Sequence, residues 1–264
     1  MGRFRGLMFG AGCLVLFGAG CFSSPLASFG IAPSEPVAIG GDWKTLEPQV
    51  ERLEFQYATT TAAKMIVYRF PADKFALHFS YSTSAQTVSE WADQFPRAAL
   101  VTNGVYFNQD FSPSGLLTTK GTRIGKSVFD YDKSGLILLA PSFSIIDSSQ
   151  GSVGLLGIRE VGQSYPFLIN DGKPALMRET GHDARRTFIG SDREGRMYLG
   201  IIPDATVTLF ALMNILFQTG VKWNNVLNLD GGPSSGLVAR LKEGKETKDS
   251  FTNVPNVIVV ERKQ

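Results

Sequence analysis

Cysteine and histidine are scarce in this chain. Its 264 residues include two cysteines and two histidines. Cys13 and Cys21 both lie within the first 21 residues, so the rest of the chain has no thiol and forms no disulfide. His78 and His182 form no cluster with Asp at metal-ligand spacing, which disfavours a catalytic metal centre. His78 falls on the less apolar face of a predicted strand, where we expect it to be solvent-facing or lightly packed.

A block of like charge is missing as well. The formal net charge is +2, and without Arg3 and Arg5 the remaining 24 basic residues balance the 24 acidic ones. Sequence-independent binding to nucleic acid depends on clustered Lys and Arg side chains. We therefore expect no nucleic-acid partner. Without disulfides, stability has to come from a hydrophobic core, for which the length is ample.

The first 21 residues are typical of an export signal. Arg3 and Arg5 precede an uncharged stretch from Gly6 to Gly20. This stretch is shorter than the about 20 apolar residues that span a membrane. Gly18-Ala19-Gly20-Cys21 resembles the lipobox of bacterial lipoproteins, in which the cysteine is acylated. The sequence predicts a signal peptide over residues 1–21 and a protein lipid-anchored to the bacterial cell envelope. A soluble periplasmic or secreted form and an uncleaved anchor helix are the alternatives.

The rest of the chain predicts a tether followed by one domain. Residues 22–36 are rich in Ser, Pro, Ala and Gly, and no second linker follows, so we expect a single domain over residues 37–264. Apolar patterns predict strands over 64–70, 74–81, 98–102, 135–140, 187–191, 197–202 and 256–261. Pro71-Ala72-Asp73 predicts a hairpin between the first two strands. One helix is predicted from Ser84 to Pro96 and another from Thr206 to Thr219, ending at Gly220. The expected fold is α+β, with a large mixed or mostly antiparallel sheet and a few packed helices.

The segment from Asn228 to Gly236 is the strongest candidate for a site. Asp230 follows an apolar run, and Gly231 and Gly232 can adopt positive φ at no steric cost. Such a loop can turn its N–H groups into an anion-binding nest, to which Ser234 and Ser235 would add hydroxyls. The alternative is a tight turn in which Asp230 acts as a cap. The segment also matches the G-x-S-x-G serine-hydrolase motif, which we reject because no histidine follows and a strand pattern replaces the required helix.

Three further segments place polar groups at strand boundaries. Asn103-Gly104 follows a predicted strand, Gln163 precedes a short strand that leads to Asp171, and His182 to Thr187 precedes another strand. Open sheets and barrels build their sites at such positions. Each segment also has a simpler interpretation. Asp171 favours a hairpin turn, and Arg185-Arg186 is compatible with a solvated pair.

The ordered set of these segments resembles the phosphodiester glycosidase family. Its residues are Asn103 to Phe107, Pro113-Ser114-Gly115, Asp171-Gly172, Arg186 to Gly190 and Asn228 to Ser235. The resemblance covers about residues 98–260 and is closest to bacterial members. Val105 and Pro233 replace glycines of the family pattern, Arg185 replaces a proline, and Tyr106-Phe107 stands for a pair of phenylalanines.

This resemblance implies a hydrolase that removes a sugar, expected to be an N-acetylhexosamine, from a sugar 1-phosphodiester. The implied catalytic residues are Asp230, Arg186 and His182. The implied substrate-binding residues are Asn103, Gly104, Gln163, Asp171, Thr187, Gly231, Gly232, Ser234 and Ser235. No cofactor is expected, and a structural Ca²⁺ on loop carbonyls and Asp residues stays open. The rivals are an envelope lipoprotein that binds phosphorylated glycans without catalysis and a metal-dependent phosphodiesterase.

Overall fold

Antiparallel strands make up most of the structure. It is a computed structural model that describes residues 35–58, 62–124, 128–151, 153–179 and 181–263. The predicted signal peptide, Cys21 and most of the predicted tether lie outside these residues. In chain order the strands are β1 (Val37–Gly40), β2 (Trp43–Glu47), β3 (Val50–Ala58), β4 (Ala62–Pro71), β5 (Phe75–Gln86), β6 (Ala98–Asn103), β7 (Leu117–Thr119), β8 (Thr122–Arg123), β9 (Gly135–Ala140), β10 (Ser144–Asp147), β11 (Glu160–Ser164), β12 (Phe167–Asn170), β13 (Lys173–Pro174), β14 (Ala184–Asp192), β15 (Arg196–Val207), β16 (Trp223–Asn228), β17 (Leu237–Leu241), β18 (Gly244–Lys248) and β19 (Val254–Arg262).

The strands form three sheets. The large sheet has the order β1-β3-β4-β15-β14-β16-β12-β13, with β2 also paired to β3. The second sheet, called the β6 sheet, has the order β18-β17-β6-β19-β5, and the third, called the β9 sheet, has the order β10-β9-β11-β7-β8. Neighbouring strands throughout the described residues pair antiparallel. The expectation of a mostly antiparallel sheet is therefore confirmed.

Two α-helices, α1 (Val88–Gln94) and α2 (Leu209–Gln218), occur in the described part of the chain. The predicted cap of α1 at Ser84 is wrong, because β5 continues to Gln86 and Thr87 caps the helix through a capping box with Glu90. The predicted start of α2 at Thr206 is also early, because β15 continues to Val207. Thr208 caps α2, and Gly220 follows its end at φ 71°, as expected for a terminating glycine.

The predicted hairpin at Pro71-Ala72-Asp73 is wrong. A 3₁₀ turn over Ala72–Lys74 connects β4 to β5, but β4 pairs with β3 and β15 in the large sheet, whereas β5 pairs with β19 in the β6 sheet. The turn is therefore a corner between two sheets. A hairpin and a corner between two sheets can have the same turn residues. Only the distant strands with which β4 and β5 pair distinguish the two.

One hydrophobic core lies between the three sheets. It contains Tyr68 and Ile189 from the large sheet, Leu100 and Ile258 from the β6 sheet, and Ile137 from the β9 sheet, all nearly or fully buried. Helix α2 packs on the opposite face of the large sheet and α1 on the opposite face of the β6 sheet. With helices of ten and seven residues on the outside, the architecture is more β-rich than the predicted α+β class.

Neither helix of the described ranges has the length and apolar character needed to cross a bilayer. The described end of the predicted tether is packed, because the carbonyl of Pro36 accepts a hydrogen bond of 2.9 Å from Gln218 at the end of α2. His78 is partly buried, and its ring lies 5.5 Å from that of Phe95 in an edge contact. The expectation that His78 is lightly packed is confirmed.

Tyr57 offers a test of the energetic cost of a buried hydroxyl without a hydrogen-bond partner. Its side chain is fully buried in β3, and its hydroxyl has no hydrogen-bond partner among the described residues. Tyr57→Phe should raise the free energy of unfolding by about 1 kcal/mol, because a buried hydroxyl without a partner costs desolvation energy. Urea unfolding measures this change. The matched control is Tyr68→Phe, which removes a hydroxyl bonded to Glu246 and should destabilise the protein. An equal decrease in the free energy of unfolding in both variants would contradict this account.

Candidate active site

Asp230 lies where the large sheet meets the β6 sheet. It follows β16, and the N–H of the preceding Leu229 donates to the carbonyl of Thr187 in β14 at 2.9 Å. The N–H of Asp230 itself donates to the carbonyl of Gly104, just after β6, at 3.3 Å. Segments from β16, β14 and the end of β6, which are distant in sequence, thereby meet at the backbone next to Asp230. The sequence prediction that Asp230 follows a strand end is confirmed.

The loop after Asp230 folds onto its carboxylate. The N–H of Gly231 donates to Asp230 Oδ1 at 2.9 Å, and the Ser234 hydroxyl also bonds the carboxylate. Residues Gly232–Ser234 form a 3₁₀ turn in which the N–H groups of Ser234 and Ser235 donate to the carbonyls of Gly231 and Gly232, both at 3.2 Å. These amides are therefore occupied within the loop. The loop thus directs one N–H to its own carboxylate, and anion binding by its other N–H groups stays a prediction.

Two glycines permit this close approach of backbones. A Cβ on Gly231 would lie 3.0 Å from the Arg185 carbonyl, and a Cβ on Gly104 would lie 2.0 Å from Asn256 Oδ1. Asn256 is fixed in place because its amide exchanges two hydrogen bonds with the backbone of Val105, at 2.8 and 3.0 Å. A larger residue at position 104 would displace Asn256 and the chain segment that it holds.

Burial raises the pKa of Asp230 to about 6, although the hydrogen bonds from Ser234 and Gly231 act in the opposite direction. Desolvation disfavours the charged form of any carboxyl group, and here it outweighs two donors. The carboxyl therefore changes its charge close to neutral pH. Strongly shifted carboxyl groups of this kind are concentrated at functional sites.

Arg186 is buried beside this loop. Its Nε donates to the Val207 carbonyl at 2.9 Å, its Nη2 donates to the His182 carbonyl, and its Nη1 would lie 3.8 Å from a Cβ on Gly231. Burial lowers the pKa of Arg186, while the charges of Asp183 and Glu179 act to raise it. The guanidinium is thus held by backbone carbonyls, which are neutral acceptors and leave its charge available for an anion.

Arg185 is also buried and faces elsewhere. Its Nε donates to the Pro203 carbonyl at 2.8 Å, its Nη2 donates to the Asp249 carbonyl at 3.0 Å, and its guanidinium stacks 3.8 Å from the ring centre of Phe251. The interpretation of Arg185-Arg186 as a solvated pair is wrong. Both arginines bond carbonyls of β15, but Arg185 also contacts Asp249 and Phe251, whereas Arg186 also bonds His182.

A tyrosine completes the group around Asp230. The Tyr106 hydroxyl accepts a hydrogen bond of 2.5 Å from Asn228 Nδ2, which also donates to the Tyr165 carbonyl at 3.3 Å. The two tyrosine rings lie 4.9 Å apart. Burial and then the charge of Asp230 raise the pKa of Tyr106, and the charge of Arg186 opposes this shift. Tyr106 therefore lies within electrostatic reach of both groups.

The residues around Asp230 lie within a range that matches a known family. A family model described as phosphodiester glycosidase matches residues 96–261, more than half of the chain. The chain belongs to the phosphodiester glycosidase family. The matched range contains Asp230, Arg186, Tyr106 and Asn103, so the whole group around the carboxylate lies within the family domain.

Solved structures share the fold of this phosphodiester glycosidase domain. The catalytic domain of zebrafish N-acetylglucosamine-1-phosphodiester alpha-N-acetylglucosaminidase, auto-inhibited by its pro-peptide, matches with a TM-score of 0.62 and 13% identity over 87% of this chain and 89% of that chain. A hypothetical protein from Synechocystis matches with a TM-score of 0.61 and 16% identity over 84% of this chain. This chain spans 64% of the length of the Synechocystis protein. No curated protein sequence matches.

Several predicted site residues position the loop of this phosphodiester glycosidase. Asn103 is fully buried, with Nδ2 donating to the Asp230 carbonyl at 2.7 Å and Oδ1 accepting from the N–H of Gly236 at 3.0 Å. Thr187 contributes its backbone carbonyl to Leu229. The hydroxyls of Thr187 and Ser235 are buried and have no hydrogen-bond partner among the described residues. All three side chains are fully buried, and their predicted contact with a substrate stays a prediction.

Other predicted residues lie outside the group. The Gln163 amide accepts from the N–H groups of Leu116 and Asp130 and donates to the carbonyls of Asp130 and Lys133, so it supports a neighbouring loop. The turn at Asp171 contacts Asn224 and Asn225 at the start of β16, about 13 Å along that strand from Asn228. The structure therefore does not bring Asp171 to Asp230. The His182 side chain is exposed, and the backbone carbonyl of this residue bonds Arg186.

Sequence reasoning missed three residues that hold the site. Tyr106 and Asn228 lie within the motifs, but nothing local distinguishes them from core residues. Asn256 lies in no motif at all and reaches the site because β19 pairs with β6, with Val257 opposite Asn103. In the described ranges, no group of three or more His, Cys, Asp or Glu side chains is suited to a metal ion.

One sizeable groove lies away from this group. It has a volume of about 620 Å³ and is lined by residues that include His78, Arg97, Lys120 and Arg159. Arg97 directly precedes β6, whereas Asn103 ends it, so the groove is at the opposite end of that strand from Asp230. Its lining contains none of the predicted site residues.

The shifted pKa of Asp230 predicts a pH-dependent stability effect. Because the folded-state pKa is raised from 3.8 to about 6, the stabilising contribution of the protonated carboxyl is present below pH 4 and is lost as the pH rises through 6. Asp230→Asn should therefore become more stable relative to wild type between pH 4 and pH 8, by at most about 3 kcal/mol at 1.36 kcal/mol per pKa unit. Urea unfolding at both pH values measures this difference.

The matched control is Asp73→Asn, which changes a carboxylate that is 70% exposed. Its effect on the unfolding free energy should be nearly the same at pH 4 and pH 8. If the difference in unfolding free energy between Asp230→Asn and wild type is the same at pH 4 and pH 8, the raised pKa of Asp230 is contradicted.

Proposed function

We propose that this chain hydrolyses sugar 1-phosphodiesters at the bond between the anomeric carbon and oxygen. The observation that carries this proposal is the buried Asp230 carboxyl, with a pKa of about 6, followed by a loop that the buried guanidinium of Arg186 approaches, with Nη1 3.8 Å from a Cβ on Gly231. Membership of the phosphodiester glycosidase family supports a hydrolase that acts on phosphodiester-linked sugars. The products are the free sugar and a phosphate monoester.

Asp230 provides the negative charge that the reaction needs at the sugar. Above its pKa of about 6 it is mostly ionised, and it then accepts a proton from the attacking water or stabilises positive charge on the sugar ring. The water oxygen bonds to the anomeric carbon, and the electron pair of the broken carbon–oxygen bond stays on the phosphate oxygen. Because a phosphate monoester is a stable anion, the demand for a general acid is weak. His182 stays a predicted second acid or base.

Arg186 provides the positive charge that the phosphate needs. Its Nε and Nη2 are anchored to carbonyls, and Nη1 lies on the side of Gly231, next to the carboxylate loop. A guanidinium held in this way binds phosphate oxygens through charge-assisted hydrogen bonds without first losing side-chain freedom. The sugar end of the substrate would then lie at Asp230 and the phosphate end at Arg186.

The proposed sugar is an N-acetylhexosamine. The zebrafish protein of the same fold is named for its action on N-acetylglucosamine 1-phosphodiesters, which supports this choice of substrate. The proposed aglycone is a phosphorylated envelope component, because the sequence predicts export. No cofactor is part of this proposal.

Isotope labelling tests the reaction. Turnover of an N-acetylglucosamine 1-phosphodiester in water enriched in heavy oxygen should place the label on the free sugar, because water attacks carbon. Asp230→Asn and Arg186→Lys should each lower kcat/KM by roughly 100-fold or more, since each removes a charge or a geometry that the transition state needs. Mass spectrometry of both products and initial rates measure these effects.

Asp73→Asn and Arg193→Lys, both at exposed positions, are the matched controls and should retain wild-type rates. Label on the phosphate would show cleavage of the phosphorus–oxygen bond and favour the phosphodiesterase. Binding of the diester without any turnover would favour the glycan-binding lipoprotein.

We also propose that the protein is exported and anchored to the cell envelope through a lipid on Cys21. The support is the order of basic, uncharged and small residues up to Cys21. Mass spectrometry of the membrane fraction should find a mature chain that begins at an acylated Cys21, and Cys21→Ser should release the protein from that fraction. A mature soluble chain that begins further along the sequence would contradict the lipid anchor and leave export standing.

A further inference from the structure

Among the described residues, no acceptor is recorded for the hydrogen of the Tyr106 hydroxyl. Asn228 Nδ2 donates to both Tyr106 Oη and the Tyr165 carbonyl. A carbonyl can only accept, so its contact fixes the orientation of the Asn228 amide with the nitrogen towards both oxygens. Tyr106 Oη is therefore the acceptor in its bond with Asn228, and its own hydrogen points elsewhere. Among the described residues, the recorded partner of this hydroxyl is Asn228.

Asp230 acts on Tyr106 through its charge, and no hydrogen bond between the two side chains is recorded among the described residues; the recorded donors to the carboxylate are the Gly231 N–H and the Ser234 hydroxyl. Tyr106 nevertheless lies within the fields of Asp230 and Arg186, whose charges shift its pKa in opposite directions. Burial, the largest cause, raises this pKa, so the phenol keeps its proton throughout the neutral range. The site therefore has a neutral donor within electrostatic reach of both its carboxylate and its guanidinium.

We propose that Tyr106 Oη donates its free hydrogen to a phosphate oxygen of the bound diester. This inference rests on the proposed function and assigns a catalytic residue that the motif analysis did not. A phosphate oxygen is a stronger acceptor than a sugar hydroxyl because it is anionic. A neutral donor also binds it without adding a second positive charge beside Arg186.

The hydrogen bond from Tyr106 to the phosphate oxygen becomes stronger as the reaction proceeds. As the bond between the anomeric carbon and oxygen breaks, its electron pair moves onto the phosphate oxygen, and the group gains negative charge. A fixed donor that is already oriented by Asn228 stabilises this charge more than the smaller charge of the intact diester. The hydrogen bond strengthens and the proton stays on Tyr106, so the step needs no other reactant.

Tyr106→Phe is a sharp test because it removes one oxygen and keeps the ring against Tyr165. With the methyl diester of N-acetylglucosamine 1-phosphate, kcat/KM should fall roughly 10-fold to 100-fold, the range for a hydrogen bond to a charged group. Inorganic phosphate should inhibit or bind about 10-fold more weakly, whereas N-acetylglucosamine itself should bind equally well to both proteins. This split separates loss of a phosphate donor from a general disturbance of the site.

The matched control is Tyr57→Phe, which removes a buried hydroxyl from β3 and should leave kcat/KM and phosphate binding unchanged. Unchanged kcat/KM and phosphate binding in Tyr106→Phe would overturn this inference while the proposed function stands. Equal weakening for phosphate and free sugar would also overturn it. If the wild type does not turn over the diester, the proposed function fails. Calorimetry with inorganic phosphate then decides alone: weaker binding by Tyr106→Phe supports the donor, and equal or absent binding refutes it.

Discussion

The junction between the end of β16 and the end of β6 is the contact on which the site depends. Leu229 bonds the large sheet through Thr187, and Asp230 bonds the segment after β6 through Gly104. Asn103 closes the same junction by binding the Asp230 carbonyl and the N–H of Gly236. The backbone of Asp230 takes part in the connection between the two sheets. The position of its carboxylate is therefore set by the packing of the whole core and not by a mobile loop.

The same junction explains why the charges can remain buried. An isolated buried charge is costly, and each group here is compensated in a different way. Asp230 receives an N–H and a hydroxyl from its own loop, which only partly offset its desolvation, so its pKa stays raised. Arg186 is held by two backbone carbonyls, which orient the guanidinium without neutralising it. A buried carboxylate and a buried cation that do not satisfy each other form a site prepared for a substrate that carries both kinds of partner.

Some elements of this fold are determined by local sequence patterns and others by contacts between distant segments. The apolar pattern of Gly135–Ala140 predicted β9 within its observed bounds, because a run of buried residues in a strand is a local signal. The predicted cap at Ser84 failed because the pairing of β5 with β19 extends the strand to Gln86, beyond the serine. The corner at Pro71-Ala72-Asp73 and the predicted hairpin have the same turn residues. Pairing partners far along the chain decided between them.

The candidate site shows the same division. The sequence alone determined that Asp230, Arg186 and Asn103 belong to one family motif set, because their chemistry and order are recorded in the residues themselves. It also determined the buried strands that lead to them, through apolar patterning. Only the tertiary structure decided that Asn103 supports the loop, that Gln163 supports a neighbouring loop and that Asp171 lies at the other end of β16. The tertiary structure also brought Tyr106 within electrostatic reach of the Asp230 carboxylate. These roles depend on strand register and on which buried groups compete for each hydrogen bond, and neither is a property of any local stretch of sequence.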